Sequence, residues 1–167
     1  ARECASFLLR HEVGVIIVAC NTASAAALST LESELDVPVI GTVGPAVRRA
    51  LETSRSGVIG VLGTNATIAS GVYERQLQAS EPTTRVISQA CPLFVPLVEA
   101  GMLTGEIVDK VVELYLGPLK TRGVDTIILG CTHYPLLIAA IRSYVGPDVG
   151  IVDCSEAIAT DVRALLG

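Results

Sequence analysis

Six short runs of apolar and β-branched residues punctuate the sequence: 13–19 (VGVIIVA), 37–43 (VPVIGTV), 57–63 (GVIGVLG), 84–90 (TRVISQA), 124–130 (VDTIILG) and 149–153 (VGIVD). The stretches between them, 22–35, 44–54, 66–79, 104–122, 134–145 and 155–166, carry helical patterning, and a further helix opens the chain. A strand that is apolar along its whole length has no face for water and is buried on both sides. Strands of that kind separated by helices fold as a largely parallel sheet with helices over its faces, so the fold class is α/β.

Two of the runs end alike. VGVIIVACNTAS (13–24) and VDTIILGCTHYP (124–135) align Val13, Ile16, Ile17 and Cys20 with Val124, Ile127, Ile128 and Cys131. The two copies are too far apart for a solenoid period and suit two related lobes facing one another. Parallel α/β sheets bind ligands beyond the carboxyl ends of their strands, which is where both cysteines fall. Each is followed by small or hydroxyl residues and then a helical pattern. Each thiol is therefore expected near a helix N-terminus, where the dipole stabilises thiolate and lowers the pKa.

Asn21, Thr22, Ser24, Thr132 and the turn amides can hold a carboxylate, and His133 can exchange a proton with a thiol or a substrate. A small anionic substrate fits this set. One cysteine after an apolar strand is more often inert packing, but two at matched strand tips argue for chemistry.

Composition removes the competing classes. The 12 Lys and Arg form no basic stripe and the net charge is −5, which speaks against nucleic acid. No apolar run approaches the roughly 18 residues of a bilayer span, and the opening ARECASFLLRHE has charges where an export signal needs an apolar middle, so a cytoplasmic protein off the membrane is expected. Five cysteines without a CxxC pair form no disulfide scaffold. His11 and His133 are the only histidines, too few and too scattered for zinc. Neither Lys110 nor Lys120 is placed to form a Schiff base, and glycines 57, 60 and 63 do not open a helix as a dinucleotide loop must. Cofactor-free thiol chemistry remains. Inverting a stereocentre uses two such groups, one removing a proton from one face of a carbon while the other supplies a proton to the opposite face.

ACNTAS (19–24), GCTHYP (130–135), GTNAT (63–67) and ACPLFVPLVEAG (90–101) together resemble the glutamate racemases, cofactor-independent enzymes that make D-glutamate for bacterial peptidoglycan. The resemblance spans essentially the whole chain. It implies two pseudo-symmetric lobes with the site between them, the first from residues 1–44 and 149–167 and the second from 45–148. It further implies that Cys20 acts on D-glutamate and Cys131 on L-glutamate. Asn21, Thr22, Thr64, Thr67 and Thr132 would surround the substrate, and His133 and Glu99 would assist as acid–base groups. The partners it implies are L- and D-glutamate and a second copy in a homodimer, with no metal or cofactor.

The same family opens with a strand and an Asp-Ser-Gly turn that this sequence lacks. The chain is accordingly expected to be an internal piece of a longer racemase, its first lobe incomplete and its turnover alone slow. An aspartate racemase would use a similar cysteine pair, though the histidine after Gly-Cys-Thr favours glutamate in the resemblance. A non-catalytic amino-acid-binding domain is the alternative of a different class.

Elsewhere the residues read as structure. Pro92 makes Cys91 part of a turn, and Cys4 and Cys154 are expected to be packing without polar partners. Ser155 is expected to cap the last helix and Thr104 the helix 104–122. In that helix both the Ile107–Val111–Leu114 row and the Val108–Val112–Tyr115 row are expected in the core.

Overall fold

The computed structural model describes all 167 residues. Strands β1 (Ile16–Val18) and β2 (Val39–Gly41) form a parallel pair. Strands β3 (Val58–Gly63), β4 (Arg85–Ala90), β5 (Thr126–Gly130) and β6 (Gly150–Asp153) form a parallel sheet in the order β4-β3-β5-β6. All six expected strands are present.

The strands at the centre of the larger sheet explain its burial pattern. Leu62, Ile127 and Leu129 point to one face, with Phe94, Leu116, Leu119, Tyr134 and Ile141. Ile59, Val61 and Ile128 point to the other, with Val43, Val47, Tyr73 and Leu77. Alternate residues of a strand face opposite ways, so two apolar faces need a continuous apolar run. Helices α6 (Phe94–Glu99), α7 (Glu106–Thr121) and α8 (Ile138–Val145) contribute to the first core; α3 (Val43–Thr53) and α5 (Val72–Ser80) contribute to the second. A third, small cluster of Ala5, Ile16 and Leu31 joins α1 (Arg2–Leu9), β1 and α2 (Asn21–Glu34).

Several expectations are corrected. Residues 149–153, assigned to the first lobe with the rest of 149–167, supply β6 of the larger sheet, with Ile127 opposite Ile151 and Leu129 opposite Asp153. Gly150 permits this: a Cβ there would stand 2.5 Å from the Thr53 methyl. The helix expected over 66–79 is two, α4 (Asn65–Ala69) and α5, separated by Gly71 at φ 63°. The segment 134–145 begins as a 3-10 turn, Tyr134–Leu137, before α8. Gly105 stands at the N-cap of α7 in place of Thr104. In α7 only the Val108–Val112–Tyr115 side is buried. Ile107 and Leu114 are 59% and 61% exposed, because the helix packs on one side only and turns that row to water. The last helix, α9 (Cys154–Leu166), is capped by Asp153, whose carboxylate accepts from the Ser155 backbone N–H at 2.8 Å. Cys4 is exposed on α1, and no helix is long and apolar enough to cross a membrane.

At the amino end of the sheet, Asp125 clamps the loop between α3 and β3. It accepts from the Ser54 hydroxyl at 2.7 Å and from the backbone N–H groups of Arg55 and Ser56 at 2.8 and 2.6 Å. Burial alone would raise the carboxyl pKa, but the donors from Ser54, Ser56 and Arg55 together outweigh it and hold the group well below its ordinary range. A depressed folded-state pKa contributes stability that is present above the unfolded value, about 3.9, and is lost as pH falls below it. Asp125→Asn is expected to cost about 1 kcal/mol at pH 7, modest because the side chain is partly open to solvent, with the difference from wild type shrinking progressively as pH falls below about 4 in urea titrations. A second prediction concerns Gly130, where a Cβ would stand 2.6 Å from the Leu62 carbonyl oxygen. Gly130→Ala forces β3 and β5 apart and is expected to destabilise by about 1–3 kcal/mol in the same assay.

Candidate active site

The carboxyl end of β1 leads directly into α2. Cys20 is the N-cap of that helix, with extended backbone (φ −80°, ψ 124°), and its carbonyl accepts from Ser24 N–H at 2.8 Å. Its sulfur is exposed at the positive end of a 14-residue helix. Ser24 does not face a ligand, as the sequence suggested. Its hydroxyl donates to the Val18 carbonyl at 2.8 Å and accepts from Thr42 N–H at 3.2 Å, tying the end of β1 to the start of α3.

Asn21 and Thr22, in the first turn of α2, reach across to the larger sheet. The Asn21 side-chain oxygen accepts from the Tyr73 hydroxyl at 2.6 Å, while its amide nitrogen is enclosed without a partner. The hydroxyls of Thr22, Thr64 and Thr67 form a triangle 3.0 Å on each side. Thr64, directly after β3, also caps α4 by accepting from Thr67 N–H at 3.2 Å.

Cys131 follows β5 and is 8% exposed. The turn after it is 3-10 rather than α-helical, with Tyr134 N–H donating to the Cys131 carbonyl at 3.1 Å. The expected lowering of the thiol pKa at this position is corrected: burial pushes it up, and the opposing His133 N–H, Thr132 hydroxyl and Tyr134 N–H do not overcome that. A negative charge at Cys20 would raise it further.

His133 connects this thiol to a carboxylate. Its Nδ1 lies 3.9 Å from the Cys131 sulfur and 3.5 Å from the Thr132 hydroxyl, and its Nε2 lies 2.6 Å from Glu99 Oε1 at the end of α6. With Nε2–H donating to the carboxylate, Nδ1 presents its lone pair towards the thiol. Glu99 is 68% exposed, so the pair adds little to stability; its effect is to hold the ring in one tautomer and orientation.

The structure thus gathers Cys131, Thr132, His133 and Glu99 into one hydrogen-bonded set, and Thr22, Thr64 and Thr67 into another. Tyr73 was not singled out in the sequence, and Cys154 was read as packing alone. Cys154 is buried and donates to the Leu129 carbonyl at 3.2 Å, with its sulfur 3.4 Å from the Tyr73 hydroxyl, so it has the polar partners the sequence reading denied it. Tyr73 sits on an amphipathic helix whose periodicity reads only as core. A cavity of about 550 Å³ between α3, β6 and α9 is lined by Arg48, Arg49, Glu156 and Asp161 and by none of these site residues.

Residues 1–162 match the profile of the family described as Asp/Glu/Hydantoin racemase. The chain is 54% identical over 161 residues to the glutamate racemase of Aquifex pyrophilus, covering 96% of this chain and 62% of that protein. It is 44% identical over 164 residues to that of Geobacter metallireducens, covering 98% and 61%. Among solved structures, a glutamate racemase isoform from Bacillus anthracis superposes with a TM-score of 0.94 at 40% identity, over 98% of this chain and 62% of that one. The Francisella tularensis glutamate racemase in complex with D-glutamate superposes with a TM-score of 0.90 at 35% identity, over 97% and 60%. The chain therefore spans about three fifths of the length of these relatives. With a family profile matched along nearly all of its residues and a backbone shared with solved members, the chain belongs to the Asp/Glu/Hydantoin racemase family.

Proposed function

We propose that Cys20 and Cys131 are the paired acid–base groups of a glutamate racemase that interconverts L- and D-glutamate without a cofactor. The observation that carries this reading is the tie between the turn after Cys20 and the carboxyl end of the larger sheet: Thr22 bonds to Thr64 and Thr67 beyond β3, whose end is level with the end of β5 that leads into Cys131. The names of the relatives support glutamate as the substrate.

In this reading Cys20, as thiolate, removes the α-proton of D-glutamate, and Cys131 gives its proton to the opposite face of the carbanion. The burial that keeps Cys131 protonated suits it to that donation. Once donation has made Cys131 a thiolate, it is the base for L-glutamate; His133, oriented by Glu99, can take the proton of a resting Cys131 thiol on Nδ1, and the imidazolium so formed steadies the thiolate. Asn21, Thr22, Thr64, Thr67 and Thr132 hold the substrate by hydrogen bonds to its carboxylates and ammonium group. The D-glutamate formed in the reverse direction supplies peptidoglycan precursors in the cytoplasm.

Cys20→Ala and Cys131→Ala are each expected to lower racemisation by at least about 10²–10⁴ while leaving the melting temperature within a few degrees. Full activity in either variant, followed by circular dichroism of glutamate, would refute the pair. His133→Asn carries a sharper test. Enantiomers have equal free energy in water, so kcat/KM must fall by the same factor in both directions, here about 10². The difference between faces is expected in the primary deuterium isotope effect, which should rise more for L-glutamate, deprotonated at Cys131, than for D-glutamate. A fall in melting temperature with both isotope effects unchanged would make His133 a structural residue only.

A further inference from the structure

Asn21 and Tyr73 are each 2% exposed, and their side chains meet where the first turn of α2 rests on α5. The Tyr73 hydroxyl has one proton and faces the Asn21 oxygen at 2.6 Å, the Cys154 sulfur at 3.4 Å and the nearby Thr42 hydroxyl. The oxygen is the closer and stronger acceptor, and Cys154 has its own outlet in the Leu129 carbonyl. Burial drives the tyrosine pKa well up, so the hydroxyl stays protonated and remains a donor. The carboxamide of Asn21 is thereby held with its oxygen occupied. Its nitrogen is enclosed and meets no acceptor in the protein. An enclosed N–H pair without a partner calls for a specific explanation, and an absent ligand atom or water is the usual one.

We propose that Tyr73 is a positioning residue for substrate binding: its hydroxyl fixes the Asn21 carboxamide so that the N–H groups, and not the oxygen, are free for an acceptor on the ligand. The acceptor class that fits is a carboxylate oxygen. The inference rests on the reading above that Asn21 lines the glutamate site. It adds a residue from the opposite lobe that never touches the substrate yet sets which end of the asparagine does. An amide free to turn would present its carbonyl half of the time and repel a carboxylate.

The test is a double-mutant cycle in the intact protein. Tyr73→Phe, which removes only the oxygen, is expected to raise KM for both enantiomers about five- to tenfold with kcat within about twofold, the pattern of a lost ground-state contact. In the Asn21→Ala background the same change should move KM by less than about twofold, since no amide remains to be oriented. If Asn21→Ala raises KM and Tyr73→Phe does not, the positioning role is overturned while the site reading stands. If neither moves KM, the site reading itself falls. Should Tyr73→Phe fail to fold, the wild-type protein labelled with ¹⁵N-asparagine decides the matter. The Asn21 side-chain amide should be protected from solvent exchange and should shift on titration with D-glutamate. An amide that exchanges freely, or is indifferent to glutamate, overturns the proposal.

Discussion

The first turn of α2 is hydrogen-bonded to the turn that follows β3 and to Tyr73 of α5, and the arrangement of the candidate site depends on that contact. Parallel pairing puts Gly63 opposite Gly130, so the two strands finish level and deliver Thr64 and Cys131 side by side. A side chain on Gly130 would strike the Leu62 carbonyl, so the register and the close approach are set together. Onto this platform the smaller sheet brings Cys20, Asn21 and Thr22. What fastens them is polar, through the Thr22–Thr64–Thr67 triangle and the Asn21–Tyr73 bond, rather than a shared apolar core. The small cluster around Ile16 and Leu31 is separate from both larger cores. A junction of hydrogen bonds holds geometry by direction, which suits a place where a ligand must be gripped and released.

The two cysteines, aligned in sequence, stand in unlike surroundings. Cys20 is open to water at the start of a long helix, and Cys131 is enclosed above Leu129 and Tyr134 with a histidine and a carboxylate behind it. Burial favours the protonated form of Cys131. Two groups that differ in this way can rest with one proton between them, and a reaction that takes a proton on one face and gives one on the other needs that state. A symmetric pair of exposed thiols would have to reach it by chance.

Much of this was legible in the sequence because burial on both faces leaves a mark. Runs such as VIGVLG and TIILG can be little else than central parallel strands, and their ends point to the turns that carry Cys131 and Thr64. Glu99 was reached through resemblance alone; its own residues read as a solvated helix end, and only the fold brings α6 to the His133 ring. Tyr73 left no signal, since a tyrosine on an amphipathic helix looks like packing until its hydroxyl is traced to Asn21. Ser24 showed the converse, a hydroxyl beside a candidate nucleophile that is spent on the backbone. Strand β6 was grouped with the first lobe because local pattern identifies a strand but not its neighbour, which here is β5 of the larger sheet. The apolar outer row of α7 shows the same limit, for periodicity cannot say how many sides of a helix are covered.

The central claim is that two monoprotic groups act on opposite faces of one carbon. Incubating D-glutamate with the protein in deuterated water, stopping at early conversion and measuring deuterium at the α-carbon of each separated enantiomer tests it directly. The account predicts that the L-glutamate formed carries deuterium while the recovered D-glutamate keeps its original proton, because the thiol that removed it is not the one that supplies the new hydrogen. Deuterium entering the recovered D-glutamate as fast as product forms would mean a single group serving both faces, and would contradict the assignment of Cys20 and Cys131.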